Sequence, residues 1–443
     1  MAVVAGENAV DTLNGWFKEL YASKEVNLVP DAAYLVKNVA FKKSEAGLGN
    51  LYHQPVVLSQ EQGFTYAGPA AGAFALEAAS AAVMKDAQVQ GTQLLLRSQI
   101  DYETLARAAN TKASFGDASK LLVKNMVDAI SKRMELMFLY GRSAGGIGVL
   151  SAATASSFTV SAATWAPGLW AGLEGATLHV AAITGSLPSL TVATRRTPVG
   201  GTKVVSVAFS TRVVTVTGSS LTSAASGDVV IFRGAWTTSG SADLAAGAVT
   251  FSEAMGLDGM ISQQSGTLFN IDTSVYALFR GNLETGLSAL TATKILDSLL
   301  PAIGKGLMDD VVWLCSNKSF NGLVNPIIDP SALTASTNTK IGAHVNTKAG
   351  ESITLGANSV TIVGYQGRVT IVPHLFLKDS DNFAFGKEDL MRVGATDVTF
   401  NTPGAKGGEF FLHMPSNAGY ELRCYANQGL FSPRVGLLTK ATL

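Results

Sequence analysis

Between residues 114 and 140 apolar side chains recur at i, i+4 steps: Leu122, Met126, Ile130, Met134 and Phe138, widened by Val123, Val127 and Met137. A stripe of that period and width is buried along one side of a helix. Ser114, followed three residues on by Asp117, marks the start; Lys132 and Arg133 lie toward the C-terminal half. Gly141 supplies a residue free to take the left-handed cap conformation. About 25 residues at 1.5 Å each make a rod of roughly 38 Å, which suits a spine. Upstream the period shortens. LYHQPVVLSQEQGFTY (51–66) reads as a strand with turn formers inside it, and AGPAAGAFALEAASAAVM as a tip of small residues. DAQVQGTQLLLRSQIDYETLARA then alternates through Val89, Thr92, Leu94 and Leu96 before turning helical. The pattern predicts an extended hairpin over 51–104, which alone is marginal in water and must pack on a neighbour. Leu13, Trp16, Phe17 and Leu20 recur at helical spacing ahead of the extended stretch VNLVPDAAYLVKNVAF. Nothing in the first fifty residues closes a core, so they read as an arm lying on something else.

After residue 150 the texture changes. Residues 151–263 are dominated by Ser, Thr, Ala, Gly and Val, with only ten charges, five of each sign. SLTVATRR, TKVVSVAF, TRVVTVTG and GDVVIFRG are β-branched runs near ten residues apart, separated by turn residues. That spacing predicts an inserted β-sandwich or barrel. Helical patterning resumes with Leu283, Leu287, Leu290, Ile295 and Leu299, a helix expected to end before Pro301. DDVVWLC, SVTIVG, GRVTIVPH and DNFAFG follow as strands, with SNKSFNGLVN as a short helix. EFFLHMP and GYELRCYANQGLF close the chain as two antiparallel strands. No repeat of 20–50 residues implies a solenoid or propeller.

Composition sharpens the picture at one point. Charged residues make 15% of the 443, against about 25% in ordinary soluble domains, while 47% are hydrophobic and mean hydropathy is +0.25. So little charge covers a monomer surface poorly, which predicts that much of the surface is buried against other copies. The 33 basic and 33 acidic side chains cancel, so no uniform field steers the chain to nucleic acid or an anionic membrane. Cys315 and Cys424, far apart, exclude a disulfide framework and a Cys-rich zinc site and fit a reducing compartment. MAVVAGENAVDTL lacks the form of a secretory signal, and the apolar run from Ala67 to Met84 is interrupted by Pro69 and Glu77, so no membrane partner is expected.

Chemical motifs are weak. Gly141-Arg142-Ser143-Ala144-Gly145 matches G-x-S-x-G, but the nucleophile elbow sits on a turn from strand into helix, whereas here the motif follows a helix. A helix cap and a flexible loop explain the same residues. Gly145, Gly146 and Gly148, and Gly304-Lys305-Gly306, lack the strand and GK[ST] of a phosphate loop. Asp379, Asp381 and Asn382 fail the calcium-loop spacing and read as a solvated turn. His53, His179, His344, His374 and His413 are scattered, without metal-ligand spacing. Asn317-Lys318-Ser319 is a glycosylation sequon in a chain with no other secretory sign. No catalytic, cofactor-binding or metal-ligating residue is assigned, no cofactor is expected, and the expectation is a protein that is not an enzyme.

The order of elements resembles the major capsid proteins of tailed bacteriophages, the Hong Kong 97-type fold. The residues that carry the likeness are DAQVQGTQLLLRSQIDYETLARA leading into SFGDASKLLVKNMVDAISKRMELMFLYG, then VTIVGYQGRVTIVPHLFLKDSDNFAFGKEDL and the ending GYELRCYANQGLFSPRVGLL. The resemblance implies an α+β fold with an N-terminal arm (1–50), an extended loop (51–104) and a peripheral domain with its spine helix (105–150). It further implies a β-rich insertion domain (151–263), a return to the peripheral domain (264–283), an axial domain (284–379) and C-terminal strands completing the peripheral domain (380–443). It implies a structural protein that assembles with itself into hexamers and pentamers of an icosahedral shell around double-stranded DNA, contacted without reading sequence. Scaffolding protein, portal and decoration proteins are the further partners implied, and the location is the virion capsid, assembled in the host bacterial cytoplasm. Some members crosslink through a lysine in the extended loop; here no Lys lies between Lys43 and Lys85, so a non-crosslinked shell is expected. Two rivals are a bacterial nanocompartment shell of the same fold, which the 113-residue insertion disfavours, and a serine hydrolase using Ser143.

Overall fold

The computed structural model describes residues 33–43, 51–69, 72–104, 118–241, 243–287, 289–328, 360–363, 367–401, 411–413 and 419–443. The spine helix runs Ala118–Tyr140, so its expected start at Ser114 and Asp117 lies outside the described residues. Met126, Ile130, Met134 and Phe138 of the predicted stripe are all buried. From Met134 to Tyr140 every residue is buried, because structure covers the helix on all sides there.

The helix ends differently from the expected glycine cap. The left-handed residue is Arg142, with φ 58°, and Gly141 is not in that region. Gly141 is needed instead for its size: a Cβ there would lie 2.1 Å from the Ala254 carbonyl oxygen and 2.5 Å from that of Met137. Gly141→Ala is therefore expected to destabilise the fold by roughly 2–4 kcal/mol through backbone displacement. Thermal unfolding of purified subunits checks this, and an unchanged midpoint would contradict the close approach.

The expected hairpin is real but shorter. Tyr52–Ser59 and Val83–Val89 pair antiparallel from Tyr52↔Val89 to Ser59↔Val83. The second arm does not continue as one strand to residue 104. Thr92–Asp101 leaves the hairpin and pairs with Gly419–Phe431, from Thr92↔Gln428 to Asp101↔Gly419. The chain changes partner at Gln90-Gly91, where a side chain on Gly91 would overlap Asn427, its Cβ only 2.1 Å from the Asn427 Oδ1. Met391–Thr399 and Phe411–His413 flank the other edge of Gly419–Phe431, and Phe41–Lys43 adds a parallel strand beside Met391–Thr399.

Residues 148–251 form mostly antiparallel β-structure. Gly148–Ala153, Ser157–Val160, Val213–Val216, Thr202–Ala208, Thr177–Thr184 and Val229–Phe232 pair in a closed cycle of six. Closure removes the free edges a small sheet would otherwise expose. Phe158, Trp170, Leu178, Val180, Val204 and Val214 are buried in it, and Trp165 stacks on Trp170 with ring centroids 6.0 Å apart. Thr191–Arg195, Gly247–Phe251 and Trp236–Thr238 extend the sheet from Thr177–Thr184 over a second, smaller core around Leu190, Ile231 and Trp236. The main barrel core is continuous with that of the spine helix.

A six-stranded mixed sheet runs in the order Asn282–Glu284, Thr439–Thr442, Asp381–Gly386, Val311–Cys315, Arg368–Pro373, Val360–Val363. Its core packs Ile295, Leu299, Trp313, Ile371 and Ala384. Three expectations are corrected by this sheet. Leu283 lies in a strand, and the helix is Ala292–Gly304, opened by the Thr291 hydroxyl accepting from the Lys294 N–H. Pro301 lies inside that helix; three residues from its end, the missing N–H removes one bond from a turn already fraying. Asp381 and Asn382 are no solvated turn but the buried start of a central strand. Asp381–Gly386 is buried along its whole length, which needs cover on both faces, and Thr439–Thr442 lies beside it with every second residue buried.

Candidate assembly surfaces and the seam behind them

The hairpin carries the surface least suited to water. Phe64, Tyr66, Phe74, Leu76 and Met84 are 69%, 93%, 53%, 80% and 61% exposed. Large apolar groups gathered on one projecting element mark a contact surface, whereas single exposed ones do not. Glu61 and Glu77 are the acids of this stretch, and no Lys or Arg lies between Lys43 and Lys85.

The base of the arm is latched by one carboxylate. Glu135, fully buried on the spine helix, accepts from the Leu35 N–H (2.8 Å) and Val36 N–H (2.9 Å), and its Oε1 lies 2.9 Å from the His374 Nε2. Arg392 continues the attachment: its N–H donates to the Ala40 carbonyl and its Nε to that of Val39, 2.9 Å each. Glu135 is not among the residues the sequence singles out. The available signal is a lone acid between Met134 and Leu136 in the most apolar part of the helix.

The β-rich segment departs from and returns to one place. The Gly256 N–H donates to the Gly141 carbonyl (2.9 Å), the Arg142 N–H to Glu253 Oε1 (2.9 Å) and the Arg142 Nε to the Glu253 carbonyl (2.9 Å). Behind this junction lies a buried cluster of two acids and two bases. Lys440 Nζ donates to Asp258 and sits 3.5 Å from Asp381. Lys378 Nζ donates to the Gly146 carbonyl (2.8 Å) and lies 4.1 Å over the Tyr140 ring. Burial works to raise the Asp258 carboxyl, but Lys440, Lys378 and a hydrogen bond from Ser143 hold it below the ordinary aspartate range. Burial wins at Asp381, which is pushed up. Burial also pulls Lys378 down, whereas at Lys440 the two carboxylates outweigh it and raise the ammonium.

Ser143 belongs to this seam. It is 1% exposed, its N–H donates to the Tyr140 carbonyl (3.0 Å), and its hydroxyl serves Asp258. His374 bonds Glu135, His179 bonds Thr197 (2.9 Å) and His53 bonds Asp86, so the described histidines are all engaged away from Ser143. The side chains of His344 and His413 lie outside the described residues. Among the described residues no group of three His, Cys, Asp or Glu is placed to hold a metal, and no helix is long and apolar enough to cross a membrane.

No protein family matches this chain by sequence, and neither does any curated protein. In three dimensions it is similar to a chain of the cyanophage A-1(L) capsid asymmetric unit, with a TM-score of 0.53 at 10% identity over 98% of each chain. Weaker likenesses reach the capsid of the native GTA particle (TM-score 0.48, 8% identity, 99% of each chain) and the holo-SrpI encapsulin complex from Synechococcus elongatus PCC 7942 (TM-score 0.42, 8% identity, 98% of this chain and 95% of that one). The first likeness, spanning both chains almost end to end, establishes the fold. It is a mixed α/β fold shared with that cyanophage capsid chain.

Proposed function

We propose that this chain is a shell-forming structural protein, the major capsid protein of a tailed phage, acting by self-assembly and not by catalysis. The observation that carries the reading is the projecting hairpin with its row of uncovered aromatic and aliphatic side chains, set on a capsid fold. Such a surface is stable only when another subunit covers it, and closed rotational symmetry supplies that subunit. Thr92–Asp101, paired on one edge alone among the described residues, offers backbone groups for strand addition by a neighbour. Hexamers and pentamers, packaged double-stranded DNA held without sequence reading, and scaffold, portal and decoration partners complete the proposal. A virion location, after assembly in the host cytoplasm, follows from it. The balanced charge suits an inner wall that touches DNA without gripping it.

Expression with and without scaffold, followed by negative-stain imaging, tests this. Closed shells or capsomer rings are expected, with the subunit running as a monomer on a denaturing gel because no lysine lies between Lys43 and Lys85, over most of the loop. A monodisperse monomer under both conditions would overturn the reading. Shells that enclose enzyme cargo instead of DNA would transfer the protein to the nanocompartment class.

The β-rich segment is proposed as a module inserted on the outer face. Support comes from the hydrogen bonds that hold its departure and return together at Gly141 and Gly256. Helix Leu257–Ser262, however, buries Leu257, Met260 and Ile261 in the spine core and places Asp258 in the charged cluster. Excising 151–262 is therefore expected to give insoluble protein, whereas a Gly/Ser join replacing 151–250 leaves soluble subunits. Soluble yield of the two deletions decides it, and equal yields would contradict the role given to that helix.

A further inference from the structure

A cavity of about 200 Å³ lies between residues 280–284, helix Ala292–Gly304 and strand Thr439–Thr442. Its wall holds two cations and a buried hydroxyl. Lys305, just past the helix end, donates from Nζ to the Arg280 carbonyl and to Asn282 Oδ1, 2.7 Å each. Those bonds fix the ammonium and leave its third N–H unused. The half-buried Arg280 guanidinium beside it has neither an ion pair nor a hydrogen-bond acceptor among the described residues. Burial and the Arg280 charge pull Lys305 below the ordinary lysine value, and no carboxylate offsets them. Glu284, the acid on this wall, is exposed and pairs with neither cation. Thr439 is 1% exposed, and its Oγ1 is buried without a hydrogen-bond partner. It shares a strand face with Ala441, which packs in one core with Ile295, Leu299 and Ala302, so its side chain lies on the helix side of the sheet. Two like charges side by side and an unmade buried hydrogen bond each cost free energy, and one anion relieves all of them.

We propose that this cavity binds one tetrahedral oxyanion of the phosphate class, held by the Arg280 guanidinium, the third N–H of Lys305 and the Thr439 hydroxyl. These donors stand on three separate elements, so the ligand must present an acceptor oxygen to each. A phosphate group does so, whereas a carboxylate has only two oxygens. The pairing of a guanidinium fork with an ammonium point charge is the usual protein chemistry for phosphate. The bound ion ties the C-terminal strand to residues 280–284 and to the end of the helix, and so stabilises the fold by mass action. The site is complete within one copy of the chain, whether or not the chain forms shells. Its phosphate comes either as the free inorganic ion or from a nucleic-acid backbone.

Equilibrium dialysis of the purified full-length chain against radiolabelled inorganic phosphate, at fixed ionic strength, is expected to show one ion bound per chain. Arg280→Gln removes no side-chain bond within the described fold and should weaken binding about tenfold or more, the scale of one charge-assisted hydrogen bond. Thr439→Val replaces an unpartnered hydroxyl by a methyl of the same shape. It should leave the melting temperature in phosphate-free buffer unchanged or higher, yet weaken phosphate binding severalfold. Phosphate at a hundred times its Kd should raise the wild-type melting temperature by about 3 °C, an effect that Arg280→Gln loses and that acetate at the same ionic strength does not reproduce. Displacement of labelled phosphate by a short DNA duplex of random sequence assigns the ligand to a nucleic-acid backbone, and failure of the duplex to compete assigns it to the free ion. The absence of saturable phosphate binding would overturn the proposal. So would binding that survives both substitutions, or acetate that displaces phosphate at equal concentration.

Discussion

Glu135→Ala is expected to release residues 33–43 from the body while leaving the spine helix folded. The substitution removes one carboxylate and strands three buried groups at once: the Leu35 and Val36 N–H and the His374 ring nitrogen. Each orphaned buried donor costs roughly 1–3 kcal/mol, and about 3–5 kcal/mol together is a fair scale for removing one partner of a buried charged network. Because the arm is attached through few other groups, the loss appears as local opening and not as global unfolding. Hydrogen exchange at the Leu35 and Val36 amides should accelerate by about a hundredfold or more, since 1.4 kcal/mol is a factor of ten. Glu135→Gln should fall between, because one amide oxygen still accepts while the new NH₂ faces donors. Unchanged protection in Glu135→Ala would show that the Arg392 contacts hold the arm without the carboxylate.

The charged seam gives the second large effect, and its two aspartates are expected to behave oppositely. Asp258→Asn should lower stability at pH 7 by about 3 kcal/mol, because Lys440 then keeps only Asp381, at 3.5 Å. Asp381→Asn should leave the melting temperature at neutral pH unchanged or raise it, because burial already disfavours its charge. The pH dependence follows from the same directions. Asp258, held below its unfolded value, contributes stability that is present above the ordinary aspartate range and is lost as pH falls through its depressed value. Asp381, held above its unfolded value, takes up a proton earlier on acidification, and the folded state gains from that uptake. The wild type should therefore hold its stability from neutrality to about pH 4 and fall below it. On the alkaline side the raised Lys440 keeps its contribution until the pH passes the ordinary lysine range. Thermal scans of both variants across this range decide the matter; equal losses at pH 7 would contradict the asymmetry.

Much of the architecture is legible in one dimension because it depends on local period. The spine stripe from Leu122 to Phe138 is a statement about 3.6-residue geometry, and burial of Met126, Ile130, Met134 and Phe138 follows from it. The β-rich texture after residue 150 likewise follows from β-branched runs and turn residues. Where expectation and structure part, a distant partner intervenes. Residues 92–101 alternate like the hairpin strand before them, and only the presence of residues 419–428 tells the chain to change sheets at Gly91. Asp381 and Asn382 have turn chemistry, yet strands Val311–Cys315 and Thr439–Thr442 enclose them. Gly141 has the chemistry of a cap and is a point of close approach to Ala254, 113 residues away.

The sequence by itself determined that this chain carries little charge for its size, that it is built on a long helix, and that a β-rich segment interrupts it. Each of these is a property of composition or of periodicity within a few turns, where side-chain size and backbone geometry act locally. Only the tertiary structure decided where the uncovered apolar surface lies, which acid latches the arm, and that Ser143 serves a buried carboxylate. Those features join groups a hundred or more residues apart. Burial and desolvation, which set their energies, exist only once the chain has closed around them.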